Sequence, residues 1–196
     1  FKPDIFVRDR QTDVTERVSV DSDEAGGNEE SDRPSISADG RYVAFDSWST
    51  NLVPDVSSGL LQVFLRDREE GTTEWISMNS VGEEGNGGSL RPSVSADGNL
   101  VAFDSSASDL VPGDGNGFPD VFIRNRLTGA TERVSVNSSG VEGNFDSLSP
   151  SISGDGRLVA FASDASNLVE DTNYASDIFV HIESQLIFSN SFESPH

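Results

Sequence analysis

Seven residues of this sequence have the types and spacing that hold a hard cation. Asp114, Asn116 and Asp120 place oxygen-bearing side chains around Gly115 and Gly117, and the backbone carbonyl of Phe118 falls between them. Calcium takes about six to eight oxygen ligands, and alternate residues of a tight loop can point at one centre. Asp171, Asn173 and Asp177 repeat the pattern further along, with Tyr174 where the earlier loop has Gly117. The aligned residues of an earlier stretch are Val56, Ser58 and Gln62, so a site there is expected to be lost. Neither acidic loop carries the distant bidentate Glu of an EF-hand, and polar turn residues that cap a strand are the other reading of the same side chains.

Catalytic chemistry is poorly provided for. His181 falls in an apolar alternating segment and His196 is the last residue, so no Ser-His-Asp set has a credible histidine. The acidic residues recur at fixed spacing, which speaks for structure over a single acid and base pair. The repeated Ser-x-Asp-Gly approaches an Asp-box, but Arg41, Asn99 and Arg157 stand where that motif wants glycine. The expectation is a protein that is not an enzyme, with a diverged hydrolase or lyase as the least favoured alternative.

The elements that position these residues come from an internal repeat. Ser37-Ala38-Asp39-Gly40 returns as Ser95-Ala96-Asp97-Gly98 and Ser153-Gly154-Asp155-Gly156, each 58 residues on. Val43-Ala44-Phe45, Val101-Ala102-Phe103 and Val159-Ala160-Phe161 keep the same period, as do Gly27-Asn28, Gly85-Asn86 and Gly143-Asn144. Thr15 to Val20 and Thr131 to Val136 match, while the middle copy has Trp75 in place of arginine. Within each copy apolar β-branched and aromatic residues alternate with polar ones between Asp-Gly, Gly-Asn and Pro, the pattern of strands. In the copy that starts near residue 91 the strands are expected at 92–95, 100–104, 120–124 and 131–136, with Gly98 giving the positive φ of a tight hairpin.

Four antiparallel strands in a unit too small to bury both its faces make a propeller blade that must stack on its neighbours. The fold class is therefore all-β, with about three and a half blades: a leading half-blade at 1–32, blades at 33–90 and 91–148, and a last blade with its tail at 149–196. The Val-Ala-Phe strand should be central and covered on both faces. The loops Asp21 to Asp32, Asn79 to Leu90 and Asn137 to Leu148 read as flexible solvated connections, or as an acidic rim facing cations or a basic partner. Arg8, Arg66 and Arg124, and Arg33 and Arg91, recur at fixed places and are expected to pair with the repeating aspartates.

The succession Pro-x-x-Ser-x-Asp-Gly, Val-Ala-Phe-Asp-Ser and Asp-Val-Phe-x-Arg resembles the TolB-type, WD-like β-propeller repeat, with Ser-Ala-Asp-Gly or Ser-Gly-Asp-Gly in place of that family's usual Ser-Pro-Asp-Gly. The resemblance implies a propeller, commonly six-bladed, in periplasmic or secreted bacterial proteins that mostly bind or scaffold. The Phe188-to-Glu193 stretch also resembles the Phe-x-x-x-Phe-Glu endings of secreted proteobacterial proteins.

Three and a half blades are too few for a closed ring. Phe1-Lys2-Pro3-Asp4 aligns with Gly117-Phe118-Pro119-Asp120, inside a loop, so either upstream repeats belong to the protein or other copies supply the missing strands. The expected partners are a protein or further copies of this chain joined through the chain ends, with the tail around Leu186 to Phe192 offering a fourth strand to the last blade.

Composition narrows the rest. The 196 residues carry a formal charge of −21 and no cysteine, which removes disulfide scaffolds and thiol chemistry and makes nucleic acid a poor partner. Apolar runs are far shorter than the roughly 20 residues of a spanning helix. Lys2 stands alone beside twelve arginines, a lysine-poor acidic surface suited to salty or extracellular surroundings. No leader-like segment stands at the start.

Overall fold

A computed structural model describes residues 2–56, 58–169 and 175–182. Among them all regular structure is strand, in four antiparallel sheets. The first pairs β1 (Phe6–Arg8) with β2 (Thr15–Arg17). The second runs β3 (Ser31–Ile36), β4 (Tyr42–Ser47), β5 (Gln62–Asp67) and β6 (Thr72–Trp75) in order. The third runs β7 (Ser89–Val94), β8 (Leu100–Ser105), β9 (Asp120–Asn125) and β10 (Ala130–Arg133). The fourth has β11 (Ser147–Ile152), β12 (Leu158–Ser163) and β13 (Asp177–Ile182). The tail proposed as a further strand there lies outside the described residues.

Strand ends differ from the sequence expectation in two places. The first strand of each full sheet starts three residues before its Pro-Ser, and the proline sits in a register irregularity, between Leu90 and Ser93 in the third sheet. Arg33, Arg91 and Ser149 take φ of 50°, 52° and 56° at that irregularity, which lets the ladder absorb a proline that has no N–H to give. The fourth strand ends earlier than expected because a side chain replaces the ladder. Val134 N still donates to Val121 O at 2.9 Å, but Val121 N then donates to Ser135 Oγ at 3.1 Å.

The Val-Ala-Phe strands sort their side chains by period two. Val43 and Phe45 pack against Ile5 and Val18, which flank the strands of the preceding sheet, while Ala44 faces the following sheet with Val63 and Leu65, opposite Val101 and Phe103. The third junction repeats this, Ala102 and Val121 meeting Val159 and Phe161. Three cross-strand Phe pairs, Phe45 with Phe64, Phe103 with Phe122 and Phe161 with Phe179, stack at 5.9 to 6.0 Å. Each fully buried Val or Phe contributes roughly 1.5–3 kcal/mol, so the core lies between sheets, and no sheet has one of its own. β4 and β8 are covered on both faces as expected. β12 and β13 are covered on one, leaving Ile178, Val180 and Ile182 exposed.

The connecting loops, read as flexible connections or as an acidic rim, contain hydrogen-bonded turns. Asp21 Oδ1 accepts from the amides of Asp23 and Ala25, and Asn79 and Asn137 do the same for their own loops. The recurring Asn28, Asn86 and Asn144 tie each loop to the next strand's end, Asn144 through Asn167 and Ser166 at 2.9 to 3.1 Å. The recurring arginines divide into two groups. Arg33 and Arg91 pair with Asp46 and Asp104 as expected. Arg66 and Arg124 chiefly donate to backbone carbonyls, Arg124 to Asn79 O and Gly129 O at 3.0 and 2.7 Å, so each staples the preceding loop to its own sheet.

Candidate metal centre

Asp120 opens β9, and Arg133 closes β10 on the neighbouring strand. The backbone bridge between Val136 and Glu142 folds the following loop back, which brings Glu142 over the same end of the sheet. Asp114 arrives from the long β8–β9 connection, where Gly115 N donates to Glu142 Oε2 at 3.3 Å. The ligand atoms of Asp114, Asp120 and Glu142 lie within 4.8 Å of one another.

Arg133 reaches into the middle of these carboxylates. Its Nη1 lies 3.5 Å from Asp114 Oδ1, 3.2 Å from Asp120 Oδ2 and 2.5 Å from Glu142 Oε2, and its Nη2 donates to Gly113 O at 3.3 Å. Its Nε is buried without a hydrogen-bond acceptor among the described residues. Asp114 is only 3% exposed at its side chain, and Asp120 is fully buried. Burial first, and then the negative charge of Asp120, push the Asp114 carboxyl up to about 6. Burial also raises Asp120, although Ser135 donates to its Oδ1 at 2.6 Å. One guanidinium against three carboxylates leaves an excess of negative charge in a poorly hydrated place, a condition that favours a proton or a cation. Oxygen-only donors suit a hard ion of the calcium, magnesium or manganese kind.

Of the sequence-selected residues, Asp114, Asn116 and Asp120 are brought together. Asn116 does not present its oxygen to the cluster. Its Nδ2 donates to Asp120 Oδ2 at 3.0 Å and to Gly143 O at 2.8 Å, and its Oδ1 accepts from Phe118 N at 2.7 Å. Asn116 therefore shapes the loop and holds Asp120. The Phe118 ring packs on Phe145 at 5.0 Å. Asp177 opens β13 opposite Ser163, and Asp171 and Asn173 lie outside the described residues.

Glu142 and Arg133 escaped the sequence reading. The signal that could have found them is a break in the repeat. Arg17, Trp75 and Arg133 are aligned, as are Gly26, Glu84 and Glu142, and only the third set joins an arginine to a glutamate. In the first set Arg17 pairs, among the described residues, with Asp4 at 3.5 Å. In the second, Gln62 donates to Glu84 at 3.0 Å, Ser58 also donates to Glu84, and Val56 is buried in apolar core. The serines at this position, Ser19, Ser77 and Ser135, donate to Asp4, Gln62 and Asp120 alike, which marks that contact as common framework.

No family model and no curated protein sequence matches the chain. Solved structures do. TolB from Acinetobacter baumannii superposes with a TM-score of 0.56 at 20% identity, over 92% of this chain and 37% of that one. The tricorn protease gives 0.53 at 12% identity, over 88% of this chain and 15% of that one. Oligogalacturonate lyase from Vibrio parahaemolyticus gives 0.51 at 13% identity, over 90% and 41%. The chain thus spans less than half the length of each of these structures. With sheets stacked in sequence order and neighbours of this kind, the described residues have the fold of part of a TolB-like β-propeller.

Proposed function

We propose that this chain is a non-catalytic β-propeller module for binding or scaffolding in a secreted or periplasmic bacterial protein, stabilised by calcium. The observation that carries the reading is where the polar residues go. The recurring Ser, Asp, Asn and Arg side chains hold sheets and loops to one another, and the main departure from that framework is the cluster of Asp114, Asp120 and Glu142. Calcium would be held by those three carboxylates, and the Gly113 carbonyl, already turned toward Arg133, is a further oxygen. Arg133 would give way to the ion, and its Nε, buried without an acceptor, would regain water on release. The test is thermal unfolding in chelator and in millimolar calcium, on the wild type and on Asp120→Asn. A melting temperature that calcium does not raise removes calcium from the proposal.

A second reading is a subunit that assembles through its ends. Ile178, at 74% exposed, Val180 and Ile182 share one face of β13, and Phe6, at 58%, lies at the other end of the stack. Burying both faces across chains would satisfy the alternation that the inner sheets already satisfy. Light scattering on the intact chain and on versions lacking residues 1–20 or 184–196 tests it. Association unchanged by both truncations and by Ile178→Asp with Val180→Asp on the exposed face of β13 places the contact elsewhere. Turnover in a screen of ester and polysaccharide substrates would replace both readings with an enzyme.

A further inference from the structure

Between the third and fourth sheets lies a cavity of about 60 Å³ bordered by Leu100, Ile123, Glu132, Gly156, Arg157 and His181. Its counterparts at the two earlier junctions are filled by an arginine of this chain. At the first, Arg68 donates to Glu16 and to Gly40 O. At the second, Arg126 grips Glu74 with Nε at 3.0 Å and Nη2 at 2.6 Å, donates to Gly98 O at 2.8 Å and lies 4.9 Å from the centre of the Tyr42 ring. Glu132, Gly156 and Leu100 are the residues aligned with Glu74, Gly98 and Tyr42, and all three border the third cavity.

The arginine itself does not recur. The position aligned with Arg126 is Ser184, or Glu183 when the shorter β12–β13 connection is allowed for, and no lysine or arginine follows Arg157 in the sequence. Arg157 borders the cavity but is exposed, and among the described residues it makes no ion pair with Glu132. Its own counterpart, Arg41, turns the other way, to Asp67 at 2.7 Å and Glu69 at 3.1 Å.

We propose that the cavity formed by Glu132, Gly156 and Leu100 is a docking slot for an arginine side chain of a partner polypeptide. The guanidinium fork would take Glu132 with two parallel N–H groups and give a third to the Gly156 carbonyl, the arrangement that Arg126 makes at Glu74 and Gly98. A polypeptide source is chosen because both internal occupants arrive on a polypeptide turn packed beside the cavity. The slot gives the binding-module reading a ligand chemistry, and it is independent of the calcium centre and of association through the chain ends.

The experiment titrates the isotope-labelled full chain with N-acetyl-Gly-Arg-Gly amide and with its citrulline and lysine analogues, followed by amide NMR shifts. Saturable shifts at Leu100, Glu132 and Gly156 are expected with the arginine peptide and not with the uncharged citrulline peptide. Glu132→Gln, a change at an exposed side chain, should weaken the arginine peptide about ten-fold. Leu100→Tyr, which installs the ring that Tyr42 offers Arg126, should tighten it roughly two- to ten-fold. Equal response to arginine and citrulline, or affinity unmoved by Glu132→Gln, overturns the proposal. Binding that appears only in Arg157→Ala overturns it too, since the chain would then fill its own slot. None of these failures bears on whether the module binds some other ligand or calcium.

Discussion

The buried carboxylate of Asp46 accepts the backbone N–H of Arg91, a residue of the next sheet, at 2.9 Å. Asp104 repeats the contact with Ser149 at 2.8 Å. Each aspartate also receives the arginine of its own sheet, Arg33 or Arg91, so one carboxylate joins two strands of one blade to the first strand of the next. Burial raises both carboxyls even against these donors. In the fourth sheet the pair becomes Ser149 and Ala162, so the arginine and the aspartate disappear together.

Removing one of these carboxylates should loosen a blade junction. Asp46→Ala and Asp104→Ala strip an acceptor from a backbone donor in the next sheet and leave an arginine without its partner, an expected loss of about 2–4 kcal/mol each. Urea unfolding of the two variants measures it. A loss below about 0.5 kcal/mol in both would show that apolar stacking alone sets the junction.

The acid cluster should make the chelated protein pH-sensitive. The Asp114 carboxyl, at about 6 in the folded chain against an ordinary 3.8, favours the folded state when protonated. That contribution is complete below about pH 4 and is lost as the pH rises through about 6. On the order of 2 kcal/mol should disappear across this window, and Asp114→Asn should flatten that part of the profile. Denaturant midpoints taken in chelator at several pH values decide it. A slope unaltered by the substitution would place the titrating group elsewhere.

Arg133 and a divalent ion compete for the same oxygens. Calcium at a hundredfold excess over its dissociation constant should add about 2.7 kcal/mol, or roughly 5–10 °C in melting temperature. Arg133→Gln should lower the melting temperature in chelator and enlarge the calcium-induced rise. Calorimetry on both proteins reads this. A smaller rise in the variant would mean that Arg133 assists the ion.

Two glycines separate backbone strain from packing. Gly98 has φ of 72°, and a Cβ there would stand 2.2 Å from the Tyr42 ring, whereas Gly113, at φ of 79°, has nothing within 4 Å of that point. Gly113→Ala should cost about 1 kcal/mol, from the left-handed conformation alone. Gly98→Ala should cost at least about 2 kcal/mol, because the ring held between Arg41 and Arg126 must also move. Equal losses in equilibrium unfolding would show that the Tyr42 contact relaxes freely.

By itself the sequence determined the repeat and, through it, the all-β class, the hairpin at each Ser-x-Asp-Gly and the central place of Val-Ala-Phe. These are local matters: period-two alternation sets which side chains share a face, and a glycine with positive φ sets a turn. Asp114, Asn116 and Asp120 were legible as neighbours for the same reason, since one loop carries them. Glu142 and Arg133 were not, because they come from a different loop and strand, and only the bridge at Val136 and the β9–β10 pairing bring them together. Tertiary structure likewise decided that Asn116 donates to Asp120, that Arg124 serves backbone carbonyls, and that Glu132 and Gly156 border one cavity at a blade junction. Each of these depends on the distance between segments that touch only when one sheet stacks on the next, and a 58-residue spacing along the chain carries no information about that distance.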